Sequence, residues 1–192
     1  TVGTSDWIVE VWIYLTTLDN DSYQAIIAQW GNSESYQFLW DTNTSNARWR
    51  LGLSDIGNLT WNDAGMTANE WHFLQLVKSG TTYQIWRNGT QVGTDTIQSG
   101  TIKDSGRPLH VGSTEGGSNN DLYQWNGYLS NLRIRIGTSL TKSSVPTTPL
   151  TADSDTKLLT CQSNRFVDNS TSGHTISINS APKVVPFSPF AP

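Results

Sequence analysis

An all-β sandwich is the fold class this sequence predicts, on three observations. Apolar runs are short and separated by turn clusters, and no convincing amphipathic helix interrupts them. Asn88-Gly89 sits between two alternating runs, where both residues tolerate the positive φ of a type I′ hairpin turn. Charged residues make up only 15% of the chain, so its polar surface must come from Ser, Thr, Asn, Gln and Gly, which serve turns and disfavour helix interiors.

The elements follow in order. Trp7 to Tyr14 is apolar on both alternating faces except at Glu10, as expected of a strand inside a sandwich. Gln24 to Trp30, Tyr36 to Trp40 and Ala47 to Leu53 read as shorter strands, punctuated by Asn20-Asp21, Gly31-Asn32 and Asn43 to Asn46. Trp71 to Val77 is a strand turned by Ser79-Gly80, and Tyr83, Ile85 and Arg87 alternate with Gln84 and Trp86 before Asn88-Gly89, so two consecutive hairpins are expected. Pro108 to Gly112, Tyr123 to Ile136 and Lys157 to Cys161 complete a set that Greek-key or jelly-roll connections would close into two antiparallel sheets. Gly112 to Gly117 reads as a long loop. Beyond Gly137 the texture becomes extended and turn-rich. Residues 138–192 are expected to supply one strand and a wrapping tail to the sandwich of residues 1–137, with Phe166, Val185, Phe187 and Phe190 available for burial.

Composition removes several functions. A net charge of −4 and a pI near 5.2 attract neither phosphate backbones nor anionic membranes, so no nucleic-acid partner is expected. No apolar run reaches the length of a membrane helix, so membrane insertion is not expected either. One cysteine, Cys161, precludes an intramolecular disulfide; it lies in an apolar run and reads as a buried, inert thiol. Sequons at Asn43, Asn58, Asn88 and Asn169 are what a Ser/Thr/Asn-rich composition produces by chance.

Three blocks, in order, resemble the laminin-G-like branch of the concanavalin A-like lectin/glucanase superfamily: Asp6-Trp7-Ile8-Val9-Glu10-Val11-Trp12-Ile13; Trp71-His72-Phe73 through Gly80, Tyr83 and Asn88-Gly89; and Gly112-Ser113 followed by Trp125 to Ile134. The resemblance implies a concanavalin A-like jelly roll. The ending (Pro146 to Ala152, Leu158 to Phe166, Pro186 to Phe190) resembles that of laminin-G-like modules in tailed-phage and marine microbial proteins. It implies a module of a longer virion or surface-fibre protein, made in a bacterial cytoplasm if phage-derived and displayed on a virion or extracellular surface. In that family a first strand usually precedes the point where this chain begins, which implies a strand upstream or one supplied by a neighbour. Neighbouring domains of the same or sister chains are thus the implied partners, as a homo-oligomer.

No catalytic constellation is legible. Superfamily members that cleave β-glucans carry Glu-x-Asp-x-x-Glu on one strand, with paired carboxylates about 5 Å apart. Here Glu10 stands alone on its strand, and Glu34, Glu70 and Glu115 lie near turns without paired acids. His72, His110 and His174 accompany no nucleophile elbow, and His72 reads as capping a strand edge or lining the surface. The chain therefore reads as non-enzymatic, a β-glucan-active enzyme being the least supported alternative.

Binding is the better reading, because sugar sites need flat aromatic faces flanked by Asp and Asn side chains. Among nine tryptophans, Trp7, Trp12, Trp71, Trp86 and Trp125 fall in strand runs and read as core. Trp61, within Asn58 to Asp63, reads instead as a loop aromatic between strands, giving one candidate glycan site with Asn62 and Asp63. The loop Asn119-Asn120-Asp121 with Tyr123 is the other. Relatives often hold calcium at one edge. Asp121 with Asn119 and Asn120, or Asp19 with Asp21, are the oxygen donors available for it, although solvated turn acids are the favoured reading of both clusters. A cell-surface glycan is the implied ligand; an architectural capsid-decoration or fibre-spacer role without ligand is the alternative.

Overall fold

Period-two alternation buries both sides of the first strand, and that determines the architecture. The computed structural model describes residues 3–18, 23–30, 35–42, 47–116 and 120–190, with side-chain burial undescribed at 116 and 120–122. In chain order the strands are β1 (Asp6–Leu15), β2 (Tyr23–Ala28), β3 (Tyr36–Asp41), β4 (Arg48–Leu53), β5 (Gly57–Asn62), β6 (Trp71–Ser79), β7 (Thr82–Arg87), β8 (Thr90–Ile97), β9 (His110–Val111), β10 (Thr114–Gly116), β11 (Asn120–Leu122), β12 (Gly127–Gly137) and β13 (Thr156–Thr160). A six-stranded sheet runs β13-β12-β1-β6-β7-β8, a five-stranded sheet runs β5-β4-β3-β2-β9, and β10-β11 is a separate hairpin. Every pairing is antiparallel. This is the predicted all-β sandwich.

Between the sheets lie Trp7, Val9, Val11, Ile13 and Leu15 of β1, packed with Phe38, Trp40, Trp49, Leu51, Leu74, Leu76, Tyr83 and Ile85. Each such side chain contributes about 1.5–3 kcal/mol on burial. The indoles of Trp40 and Trp49 stand 4.7 Å apart, and their N–H groups donate to the Leu18 carbonyl and to Asp63 Oδ2, both at 3.0 Å. A residual void of about 10 Å³ between the sheets leaves no room for a ligand. Both expected hairpins form: Gly80 turns β6 into β7, and Asn88 (φ 50°) and Gly89 (φ 80°) turn β7 into β8 with the left-handed backbone the sequence predicts.

The other face of β1 belongs to a second layer. Trp12 and Phe73 pack with Leu150 and Leu159, and Trp71, Val145 and Phe190 close over them. Glu10, registered opposite Arg133 and Gln75, is fully buried there. Arg133 donates to Glu10 Oε2 at 2.6 Å, to the Thr151 carbonyl at 2.7 Å and to Ser143 Oγ at 3.0 Å. Asn131 Oδ1 accepts from the Leu150 amide at 2.9 Å and from Gln162 Nε2 at 2.8 Å, which fastens the same segment. Asp168 anchors the next turn by accepting from the amides of Leu159, Ser170 and His174. The extended chain beyond residue 137 thus covers the outer face of the six-stranded sheet.

Several expectations are corrected. Val185 stays exposed, whereas Phe187, though 41% exposed, contacts the rings of Tyr14, Trp71 and Tyr128 at 4.9–5.2 Å. Tyr123 takes a left-handed φ of 52°, so the last long strand begins only at Gly127 and Trp125 precedes it. Part of the predicted loop after Gly112 pairs as β10 with β11. Cys161 lies one residue beyond β13, half-buried, with φ 59°. Burial pushes its thiol up to about 11, so it remains protonated, the inert state expected of it.

Candidate functional site

The loop reading of Trp61 is overturned by β5. Leu59 and Trp61 point inward while Asn58, Thr60 and Asn62 point out, which is an edge strand with one solvated face. Trp61 is 2% exposed, its indole N–H donates to the Thr94 carbonyl at 3.2 Å, and Gly93 (φ 65°) lies against its ring. It presents no face to a ligand. Asp63 is also buried. Its carboxylate accepts from Trp49 Nε1 and bidentately from Arg87, at 2.8 Å and 3.0 Å, which makes it a clamp between the two sheets.

Asn62 and Asp63 do border a polar cleft of about 350 Å³, shared with Arg87, Asn88, Thr90 and Gln91. Behind it lies His72, which is buried and does not line the surface as expected. Its Nδ1 meets the Asn88 amide nitrogen at 3.1 Å and its Nε2 meets the Thr67 carbonyl at 3.1 Å. Burial lowers the pKa of His72, against the hydrogen bond its ring donates to the Thr67 carbonyl, so it is neutral at pH 7. The charges of this cleft are consumed internally, Asp63 by Arg87 and Trp49.

The outer face of the five-stranded sheet differs. Inward Trp49, Leu51 and Leu53 on β4 leave Arg48, Arg50 and Gly52 outward; on β3, Gln37, Leu39 and Asp41 are outward, and on β2, Tyr23 and Ala25. Arg48 is neutralised by Asp41 at 3.0 Å. Arg50 is registered opposite Leu39 and Thr60, and its guanidinium lies 4.9 Å from the centre of the Tyr23 ring. Since β3 separates β4 from β2, the Arg50 side chain crosses β3 to reach that ring, over fully buried Leu39. The contact contributes about 0.5–1 kcal/mol and leaves the charge uncompensated. No described carboxylate meets Arg50, and its Nε has no partner. Tyr123 stands edge-on to Tyr23 at 4.8 Å. Gln37, 5% exposed, has an unpartnered Oε1; it lies against Gly52, where an added Cβ would sit 3.0 Å from its Cγ. Exposed Asn58, Thr60 and Asn62 complete the rim on β5.

This face is bordered on one side by Asn62 and on the other by Tyr123, one member of each predicted site. Asn119 lies outside the described residues. Asn120 and Asp121 form β11 beside Tyr123, their side chains undescribed. The sequence reading missed Tyr23, Gln37 and Arg50. Alternation around Trp49 and Leu51 was the signal that could have placed Arg50 outward.

For calcium, no group of three His, Cys, Asp or Glu gathers among the described residues. Glu115, registered opposite Asp121, is engaged by Arg107 at 2.8 Å. Asn119, Asp19 and Asp21 lie outside the described residues, as do the side chains of Asn120 and Asp121.

The fold is shared with solved structures of low identity. These include a candidate carbohydrate binding protein from Bacteroides ovatus (TM-score 0.59, 12% identity, covering 82% of this chain and 45% of that one). Domain 4 of AbnA, a GH43 extracellular arabinanase from Geobacillus stearothermophilus, in complex with arabinotriose, matches with TM-score 0.51 and 13% identity over 73% of this chain and 64% of that one. The receptor binding domain of botulinum neurotoxin mosaic serotype C/D matches with TM-score 0.50 and 11% identity over 71% and 34%. This chain thus spans less than half of the Bacteroides protein. No curated protein matches by sequence. The Laminin_G_3 family model, described as concanavalin A-like lectin/glucanases superfamily, matches residues 1–145. With that match across most of its length, the chain belongs to the Laminin_G_3 family of the concanavalin A-like lectin/glucanases superfamily.

Proposed function

We propose that this chain is a non-catalytic carbohydrate-binding module of a larger virion or surface-fibre protein, and that it takes its ligand on the outer face of the five-stranded sheet. The observation that carries this reading is that face itself: the Tyr23 and Tyr123 rings, the Arg50 guanidinium and the Asn58, Thr60 and Asn62 rim are outward-facing groups of the kinds that pack on and hydrogen-bond sugars. The Bacteroides and Geobacillus proteins, described by carbohydrate binding and by an arabinotriose complex, lend the same fold to the reading. The outward-facing carboxylate among the described strand residues of this face is Asp41, held by Arg48, and Glu10 is sealed under the tail by Arg133, so neither offers half of a hydrolytic pair. No cation is required. Residues 1–137 and 138–192 act as one module, and the virion or fibre setting rests on the resemblance of its ending to phage modules.

The test is a glycan array probed with the folded chain, with calcium and then with EDTA. Saturable binding that Tyr23→Ala abolishes and EDTA leaves unchanged is the expected result; a flat array would overturn the reading. The architectural alternative is favoured by a different observation, the exposure of Val184, Val185 and Phe187 on the tail, which suits contacts with sister chains. A flat array with an oligomer that Phe187→Asp dissociates, measured by light scattering, would establish it.

A further inference from the structure

We infer that the glycan recognised on the five-stranded sheet carries a carboxylate, taken by Arg50; this rests on the carbohydrate-binding reading of the same face. Arg48, Arg87, Arg107, Arg133 and Arg135 each meet a carboxylate of this chain. Arg50 meets only the Tyr23 ring among the described residues, and its Nε–H donates to nothing. A guanidinium cannot shed its charge, and stacking on a ring occupies its plane; with Arg50 Nε buried, the paired terminal Nη groups are the edge left for a ligand. That edge matches a carboxylate bidentately.

The surroundings select a sugar acid over a general polyanion. The chain carries a net charge of −4, so a sulfated polymer finds no extended basic surface. Arg48, the neighbouring cation on β4, is already neutralised by Asp41. One uncompensated charge beside two tyrosine rings fits one carboxylate on a ring with an apolar face.

The experiment measures binding of the whole chain, by calorimetry at pH 7, to tetrasaccharides of galacturonate, guluronate and hyaluronan, to their carboxyl-reduced neutral counterparts, and to a sulfated neutral oligosaccharide. At least one acidic probe is expected to bind tenfold or more tightly than its reduced counterpart. Arg50→Gln is expected to remove that difference, with Arg50→Lys recovering only part of it. Little-changed thermal unfolding of both variants shows that the sheet is intact. Equal binding of acidic and reduced probes, binding of the sulfated probe alone, or a preference that survives in Arg50→Gln would overturn the inference while the carbohydrate reading stands. Binding to none of the probes, with a flat glycan array, would overturn both.

Discussion

On the outer face of the six-stranded sheet, Arg133 reaches Glu10 on the neighbouring strand and two groups of the overlying chain, the Thr151 carbonyl and Ser143. On the outer face of the five-stranded sheet, Arg50 occupies an equivalent outward position and, among the described residues, reaches only the ring of Tyr23. Both follow from the same alternation. Neutral unpartnered atoms occur on both faces, such as Trp12 Nε1 and Gln75 Oε1 beneath the tail and Gln37 Oε1 opposite, so the distinction rests on the charge. A buried arginine with a carboxylate and capped donors is a fastening. A half-buried arginine with no counter-charge among the described residues is a group still able to bind, and this is why the ligand is placed on the five-stranded sheet.

The comparison breaks if the fastening proves weak. Arg133→Ala leaves Glu10 buried without a partner and is expected to cost about 3–5 kcal/mol in urea unfolding. Replacing both Glu10 and Arg133 by Met is expected to recover most of that loss, since the charges specify pairing more than they stabilise. A cost under about 1 kcal/mol for Arg133→Ala would mean that the tail does not seal this face. Next in size, Leu150→Ala should cost about 2–4 kcal/mol by opening a cavity between the tail and Trp12.

Asp168 sharpens the same point through pH. Burial raises its pKa, but amide hydrogen bonds from Leu159, His174 and Ser170 outweigh that and hold it below the usual carboxylate range. Its contribution is therefore present above the unfolded value near 3.9 and is lost as pH falls through the lower folded value. Asp168→Asn is expected to cost about 1–2 kcal/mol at pH 7 and to flatten the acid limb of the stability profile. The smallest expected stability effect is that of Arg50→Gln, about 0.5–1 kcal/mol for the lost ring contact, because no described charge depends on it. A loss like that of Arg133→Ala would move Arg50 into the scaffold.

How much of this was legible depended on the kind of signal. The hairpin at Asn88-Gly89 and the strand of Trp7 to Tyr14 were readable because backbone preference and alternation are local. Trp61 was misplaced because the polar residues between which it alternates resemble a loop, and only the partner strand β4 shows that they form one face of an edge strand. His72 and Glu10 could not be resolved from sequence for a related reason: their partners Asn88 and Arg133 arrive from distant positions, and Arg133 is set opposite Glu10 only by the closure of β12 on β1. Of the two candidate sites, Asn62 and Tyr123 were placed at the rim of the favoured face. Its centre was missed because Tyr23, Gln37 and Arg50 lie on three different strands.

The most direct measurement is a glycan array probed in parallel with the wild-type chain, Tyr23→Ala and Phe187→Ala, each shown to be folded. Binding by wild type and Phe187→Ala that is lost in Tyr23→Ala is the predicted result. Binding that survives Tyr23→Ala and disappears in Phe187→Ala would place recognition on the tail-covered side and contradict the account.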